Sequence, residues 1–133
     1  MLAGLNVLSG HYFAINNVEL LDPAGQSITS VANQAGYRIK AQVANNYGSS
    51  TAGLTIIQVR AGAGATNNGG GQVLGCVGIS GDIPITGSAV SSDFTLPSGI
   101  SGTAYVDVFV WEGWDTMVPR AEASQDLSFS VTN

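Results

Sequence analysis

A chain of 133 residues with 44% hydrophobic residues is long enough for one domain with its own core, and too apolar for a disordered segment. Only 10% of residues are charged, Lys+Arg 4 against Asp+Glu 9, for a formal net charge of -5. Binding a polyanion needs many cations on one face. Arg38, Lys40, Arg60 and Arg120 are too few and too scattered, so nucleic acid and anionic membrane surfaces are excluded as partners.

Residues 1–17, MLAGLNVLSGHYFAINN, read as an apolar N-terminal arm ahead of a domain at 18–133. They lack the basic start and small-residue cleavage site of a secretory leader, and no run reaches the ~18 apolar residues of a membrane helix. Termini fray unless tied down, so an apolar arm implies a surface to dock on. Its candidate contacts are Leu2, Leu5, Val7, Leu8, Tyr12 and Phe13.

Helical periodicity is almost absent, and strand signals recur with Gly, Pro, Asn or Ser between them. NNVELL (16–21) is a first strand, stopped by the turn sequence DPAG with Pro23 at its second position. QSITS (26–30) is a short edge piece. GYRIKAQVAN (36–45) alternates, with Tyr37, Ile39, Ala41 and Val43 on one face and Arg38, Lys40 and Gln42 on the other. LTIIQVR (54–60) is apolar on both sides, as a central strand is. AGAGATNNGGG (61–71) is a Gly-rich loop without the Lys-Ser/Thr ending of a phosphate loop, and is read as a flexible hairpin tip or lattice contact. QVLGCVGI (72–79) is a strand in which Gly75 and Gly78 mark a bulge or an edge. GDIPITGS (81–88) connects to AVSSDFTLP (89–97), then TAYVDVFVWE (103–112) and SQDLSFSVTN (124–133) follow. About seven main strands in two antiparallel layers make an immunoglobulin-like or fibronectin-III-like all-β sandwich.

In TAYVDVFVWE, Ala104, Val106, Val108 and Val110 suit the inter-sheet core, and Tyr105, Asp107, Phe109 and Trp111 lie opposite. A carboxylate without a partner is costly in a core, which puts the Asp107 face outside. That face then carries a row of aromatics, Tyr105, Phe109 and Trp111, the kind of surface that binds partners unless the arm or the long loop covers it. Trp114 is expected to cap the open end of the sandwich.

Chemistry-bearing residues are sparse. Glu112 and Asp115 lie on one short turn, whereas a glycosidase pair must flank a cleft, and the D-x-D-x-D spacing of a calcium loop is missing. His11 is the lone histidine, with no triad or metal-ligand set recognisable around it. Cys76, the only cysteine, sits among apolar residues and is expected to be a buried, inert thiol. No enzymatic activity, cofactor or metal is expected.

The segments VELLDPAGQSITSV, YRIKAQVANN and YVDVFVWEGWDTMVPRAE together resemble a small β-sandwich module found at the C-terminal ends of secreted and surface proteins of Gram-positive bacteria. Asp22, Gly25, Ile28, Thr29 and Ser30 fall on its D-x-x-G-x-x-I-T-S pattern. Asn45 and Asn46 end its next strand. Val106, Val108, Phe109, Trp111, Asp115, Met117 and Pro119 fall on its Trp–Met–Pro element. The resemblance spans about residues 18–125 and implies an accessory or adhesive role without activity. Free-standing sandwiches of this kind also occur on bacteriophage particles as decoration, cement and tail components, a likeness of fold alone.

Few charges, an apolar arm and a Gly-rich loop together fit a virion structural protein. The expected form is a phage capsid decoration or cement subunit, docked on capsid or other virion subunits as a homo-oligomer or lattice. The alternative is a carbohydrate-binding or adhesion module at the cell surface or outside the cell, stacking a glycan on Tyr105, Phe109, Trp111 or Trp114.

Overall fold

The computed structural model describes residues 13–66, 69–111 and 119–132. The described chain is all strand and turn. Eight strands follow in order: β1 (Phe13–Leu21), β2 (Ser30–Ala32), β3 (Gly36–Asn45), β4 (Thr51–Ala61), β5 (Gln72–Ile83), β6 (Ser88–Thr95), β7 (Gly102–Trp111) and β8 (Pro119–Thr132). They form a three-stranded sheet β1-β3-β6 and a five-stranded sheet β2-β8-β7-β4-β5. This is an immunoglobulin-like β-sandwich, as the strand spacing implied.

The eighth strand is the short β2, which pairs with β8 in parallel, through Val31 and Val131 among others. It is the exception to the antiparallel layers expected. The chain leaves β1 through the Asp22–Gly25 turn and crosses from the smaller sheet to the larger. The Asp22 carboxylate holds that turn, its Oδ1 accepting from the backbone N–H of Ala24 and of Gln26, both at 2.9 Å. Gly25 closes it at φ 91°, a left-handed conformation that glycine adopts without strain.

The core lies between the sheets. Alternation on β3 buries Tyr37, Ile39, Ala41 and Val43, as the sequence indicated. They meet Ile57, Val59 and Ala61 of β4 and Ala104, Val106 and Val108 of β7. A second cluster closes one end with Phe13, Val43, Ile83 and Val110. β1 thus begins inside the segment expected as an arm, and Phe13, offered as a partner contact, is only 1% exposed. Gly53 makes room for it: a Cβ there would stand 3.1 Å from Phe13 Cε2 and from Ile83 Cδ1.

Cys76 departs from its expected place. It lies opposite Gln58 on β5, on the face pointing away from the core, and is exposed. The inward positions beside it belong to Gly75, whose Cβ would meet the Phe94 ring at 2.9 Å, and to Val77, opposite the core residue Ile57. In an apolar stretch of an edge strand, neighbouring residues do not share one burial.

Candidate interaction surface

The side of the five-stranded sheet turned away from the core is built by register. β4 and β7 pair so that Leu54 lies opposite Trp111, Ile56 opposite Phe109, Gln58 opposite Asp107 and Arg60 opposite Tyr105. The inward residues of both strands fill the core, which leaves these eight on one outer face.

The face is the outer one, as expected, and of the two outcomes left open for it, bare or covered by the arm or the long loop, it is partly covered. Asp107 is 2% exposed and Arg60 is 4% exposed. Arg60, diagonal to Asp107, takes its carboxylate in a two-pronged grip. Nε donates to Oδ2 at 2.5 Å, and Nη2 donates to Oδ1 at 3.1 Å. Gln58 Nε2 adds a donor to Oδ2 at 3.2 Å. The guanidinium also donates from Nη1 to the carbonyl of Gly70 (2.8 Å) and from Nη2 to that of Thr66 (2.9 Å). Its Cζ lies 5.6 Å from the Tyr105 ring centroid. Hydrogen bonding to Asp107 holds the Arg60 pKa above its ordinary value. Asp107 can therefore face away from the core and still be buried, because every charge there has a partner.

The Gly-rich loop is what covers this half of the face. Thr66 N–H donates to Gly69 O (2.9 Å), Gly69 N–H returns a bond to Thr66 O (3.2 Å), and Ala65 N–H donates to Gly62 O (3.1 Å). The described residues of the loop are therefore held by Arg60 and by one another, where the composition implied a flexible hairpin tip or a lattice contact. On the other half, Leu54 (0% exposed) and Ile56 (4%) are buried, while Phe109 and Trp111 stay partly exposed with ring centroids 6.3 Å apart. Tyr105 is partly exposed as well.

Of the other candidates, Leu2, Leu5, Val7, Leu8, His11, Tyr12, Glu112, Trp114, Asp115 and Met117 lie outside the described residues. Asn45, which ends the resemblance's second motif, proves structural. Its Nδ2 donates to Ile83 O (2.7 Å) and Ser49 O (2.8 Å), and its Oδ1 accepts from Tyr47 N–H (2.7 Å). Among the described residues no group of three or more His, Cys, Asp or Glu could hold a metal ion, and no helix is long and apolar enough to cross a membrane.

Sequence reasoning missed one feature: the opening between the two sheets where β5 faces β6. It has a volume of about 330 Å³ and is lined by Gly53, Thr55, Ser80, Asp82, Ser88 and Ser91 among others. Residues 81–83 read as a connection, but β5 runs through to Ile83 and forms one wall of this groove.

Comparison with known sequences finds no matching protein family and no matching curated protein. Solved structures match in fold. The C-terminal domain of Wzt aligns over 92% of this chain and 75% of its own, with a TM-score of 0.65 at 12% identity. A Bacteroides uniformis β-glucuronidase aligns over 85% of this chain but only 14% of its own, with a TM-score of 0.60 at 12% identity. The CARDB domain of a Pyrococcus furiosus protein, solved with di-metal ions, aligns over 99% of both chains, with a TM-score of 0.52 at 14% identity. At these identities the likeness is one of fold, and the chain is similar to a small segment of the glycosidase, not to the whole enzyme.

Proposed function

We propose that this sandwich is a non-enzymatic docking module, and that its setting is a virion: a decoration or cement subunit held on a protein shell. The observation that carries the non-enzymatic reading is the fate of the Arg60–Asp107 pair. The one fully buried ionised cluster among the described residues has its hydrogen bonds committed to β4, β7 and the Gly-rich loop. It holds a surface together and presents no free acid, base or nucleophile. What remains for function is contact. The anchoring of Phe13 in the end cluster fixes the point from which residues 1–12 depart, with Leu2, Leu5, Val7, Leu8 and Tyr12 as apolar contacts for a shell subunit. The low charge suits burial against a neighbour through apolar area and backbone hydrogen bonds.

Removing residues 1–12 tests the reading. The expected result is a folded domain that no longer co-sediments with the shell or with its native complex. Undiminished association, or loss of the fold itself, would refute the arm's role.

A second reading is a glycan-binding module. It is favoured by the partly exposed Tyr105, Phe109 and Trp111, since sugar rings stack on aromatic faces. A glycan array with Trp111→Ala as control separates the two: specific binding lost in the variant supports the module, and silence supports docking on protein.

A further inference from the structure

We infer that the free edge of β5 pairs with the β5 edge of a second copy of this chain, antiparallel and centred on Gly78, to join two five-stranded sheets into one. The proposal does not depend on the virion setting.

β5 is the terminal strand of its sheet. It pairs with β4 from Gln72 to Ile83, and among the described residues no strand pairs with its other side. Across the groove, β6 belongs to the other sheet. Exposed edges of this kind are normally blunted by lysine, proline or very short length. β2, at the far end of the same sheet, is blunted by its three residues. β6 is shorter than β5 and carries Asp93, paired with Arg38. β5 is 12 residues long, has no lysine, arginine or proline, and carries one charge, Asp82, near its end; its one bulge, at Leu74, lies outside the 75–81 stretch.

The occupant follows from the sequence of the edge. GCVGISG (75–81) reads the same in both directions by residue class, with glycine at 75, 78 and 81, a β-branched residue at 77 and 79, and a small polar or thiol residue at 76 and 80. About a two-fold axis at Gly78, Val77 lies opposite Ile79 of the second copy and Cys76 opposite its Ser80. Asp82 then falls opposite Leu74, so like charges never oppose. Each strand keeps its own faces: Cys76, Gly78 and Ser80 are exposed, and Val77 and Ile79 are partly buried. A two-fold axis pairs the strand with itself whatever its sequence, and about Gly78 that pairing sets β-branched residues opposite each other and small ones opposite each other, so the edge is complementary to its own copy. The glycines leave room for the close backbone approach that main-chain pairing requires.

The register makes the test specific. Sedimentation velocity on the intact chain from micromolar to near-millimolar concentration should show a monomer–dimer equilibrium. Cys76→Lys with Ser80→Lys sets two like-charge pairs directly across the junction and should weaken the dimer at least about tenfold. Cys76→Lys with Ser80→Glu turns both pairs attractive and should restore it. Both positions are exposed, so circular dichroism should stay unchanged. Independently, Ser80→Cys should give a covalent dimer under mild oxidation, since Cys76 and residue 80 of the other copy are cross-strand neighbours. The natural chain should not, because its two Cys76 residues stand about 13 Å apart along the strands. A monomer at all concentrations, a dimer indifferent to the lysine pair, or equal cross-linking of the natural chain would overturn the proposal.

Discussion

Asp107 is tolerated within the covered face because Arg60 stands diagonal to it and brings the loop carbonyls with it. Removing one partner leaves a buried charge alone, so Asp107→Ala should lower stability by about 3–5 kcal/mol, read as a fall in the urea midpoint. Replacing both, with Arg60→Met and Asp107→Leu, should cost less than the single change, which would identify the loss as an orphaned charge. Tyr47 is the opposite case. Its ring packs edge-on against Phe13 at 4.9 Å, but its hydroxyl is buried with no hydrogen-bond partner. Tyr47→Phe should therefore be neutral or stabilising by up to about 1 kcal/mol. Tyr37 is a third kind of buried polar residue, whose phenol is pushed above its ordinary pKa of 10.0 by burial. A raised folded pKa means that the native state holds its proton when the unfolded chain has lost it. The stability involved is complete below about pH 10 and declines as pH rises further. Alkaline unfolding should shift to higher pH in Tyr37→Phe, and an unchanged midpoint would contradict this.

The legibility of each strand follows from how many of its faces are buried. β3 spans the residues 36–45 that its alternation predicted, because one face meets the core and the other meets water. The sequence pattern ends β5 at 79 and begins β8 at 124, since GDI and PRAEA carry no strand pattern of their own. Their backbones are strand because a neighbour pairs with them: Asp82 with Ala52, and Ala121 with Val110. The Gly-rich loop misled in the other direction. Its composition implies flexibility, but Gly70 and Gly71 adopt φ 83° and 84° in a folded-back loop where a Cβ on Gly71 would stand 2.5 Å from Ala65 Cβ. Gly71→Ala should cost about 1–3 kcal/mol and expose residues 61–71 to proteolysis, measured as a faster nick at that site.

For the molecule as a whole, the boundary between arm and domain decides what a truncation means. Cutting after residue 12 removes only the segment ahead of β1, whereas cutting after residue 13 also removes the Phe13 ring from the end cluster. The second deletion should be less stable than the first by about 3–5 kcal/mol, the usual cost of emptying a buried aromatic site. Equal melting of the two would mean that Phe13 does not anchor the chain. The sandwich is shared with domains as different as the C-terminal part of Wzt and a segment of a β-glucuronidase, so its role rests on surface residues and edges, not on the fold.

The sequence by itself determined the all-β class, most strand positions, the inward valines and isoleucines, and the scarcity of reactive groups. Those properties are local: period-two alternation, turn residues and composition need no knowledge of what lies alongside. Only the tertiary structure decided that Asp107 is buried, that Arg60 is its partner across 47 positions of sequence, that the glycine loop lies tied over them, and that Cys76 faces outward. Register between strands distant in sequence sets each of these, and a carboxylate's fate depends on which cation that register places beside it.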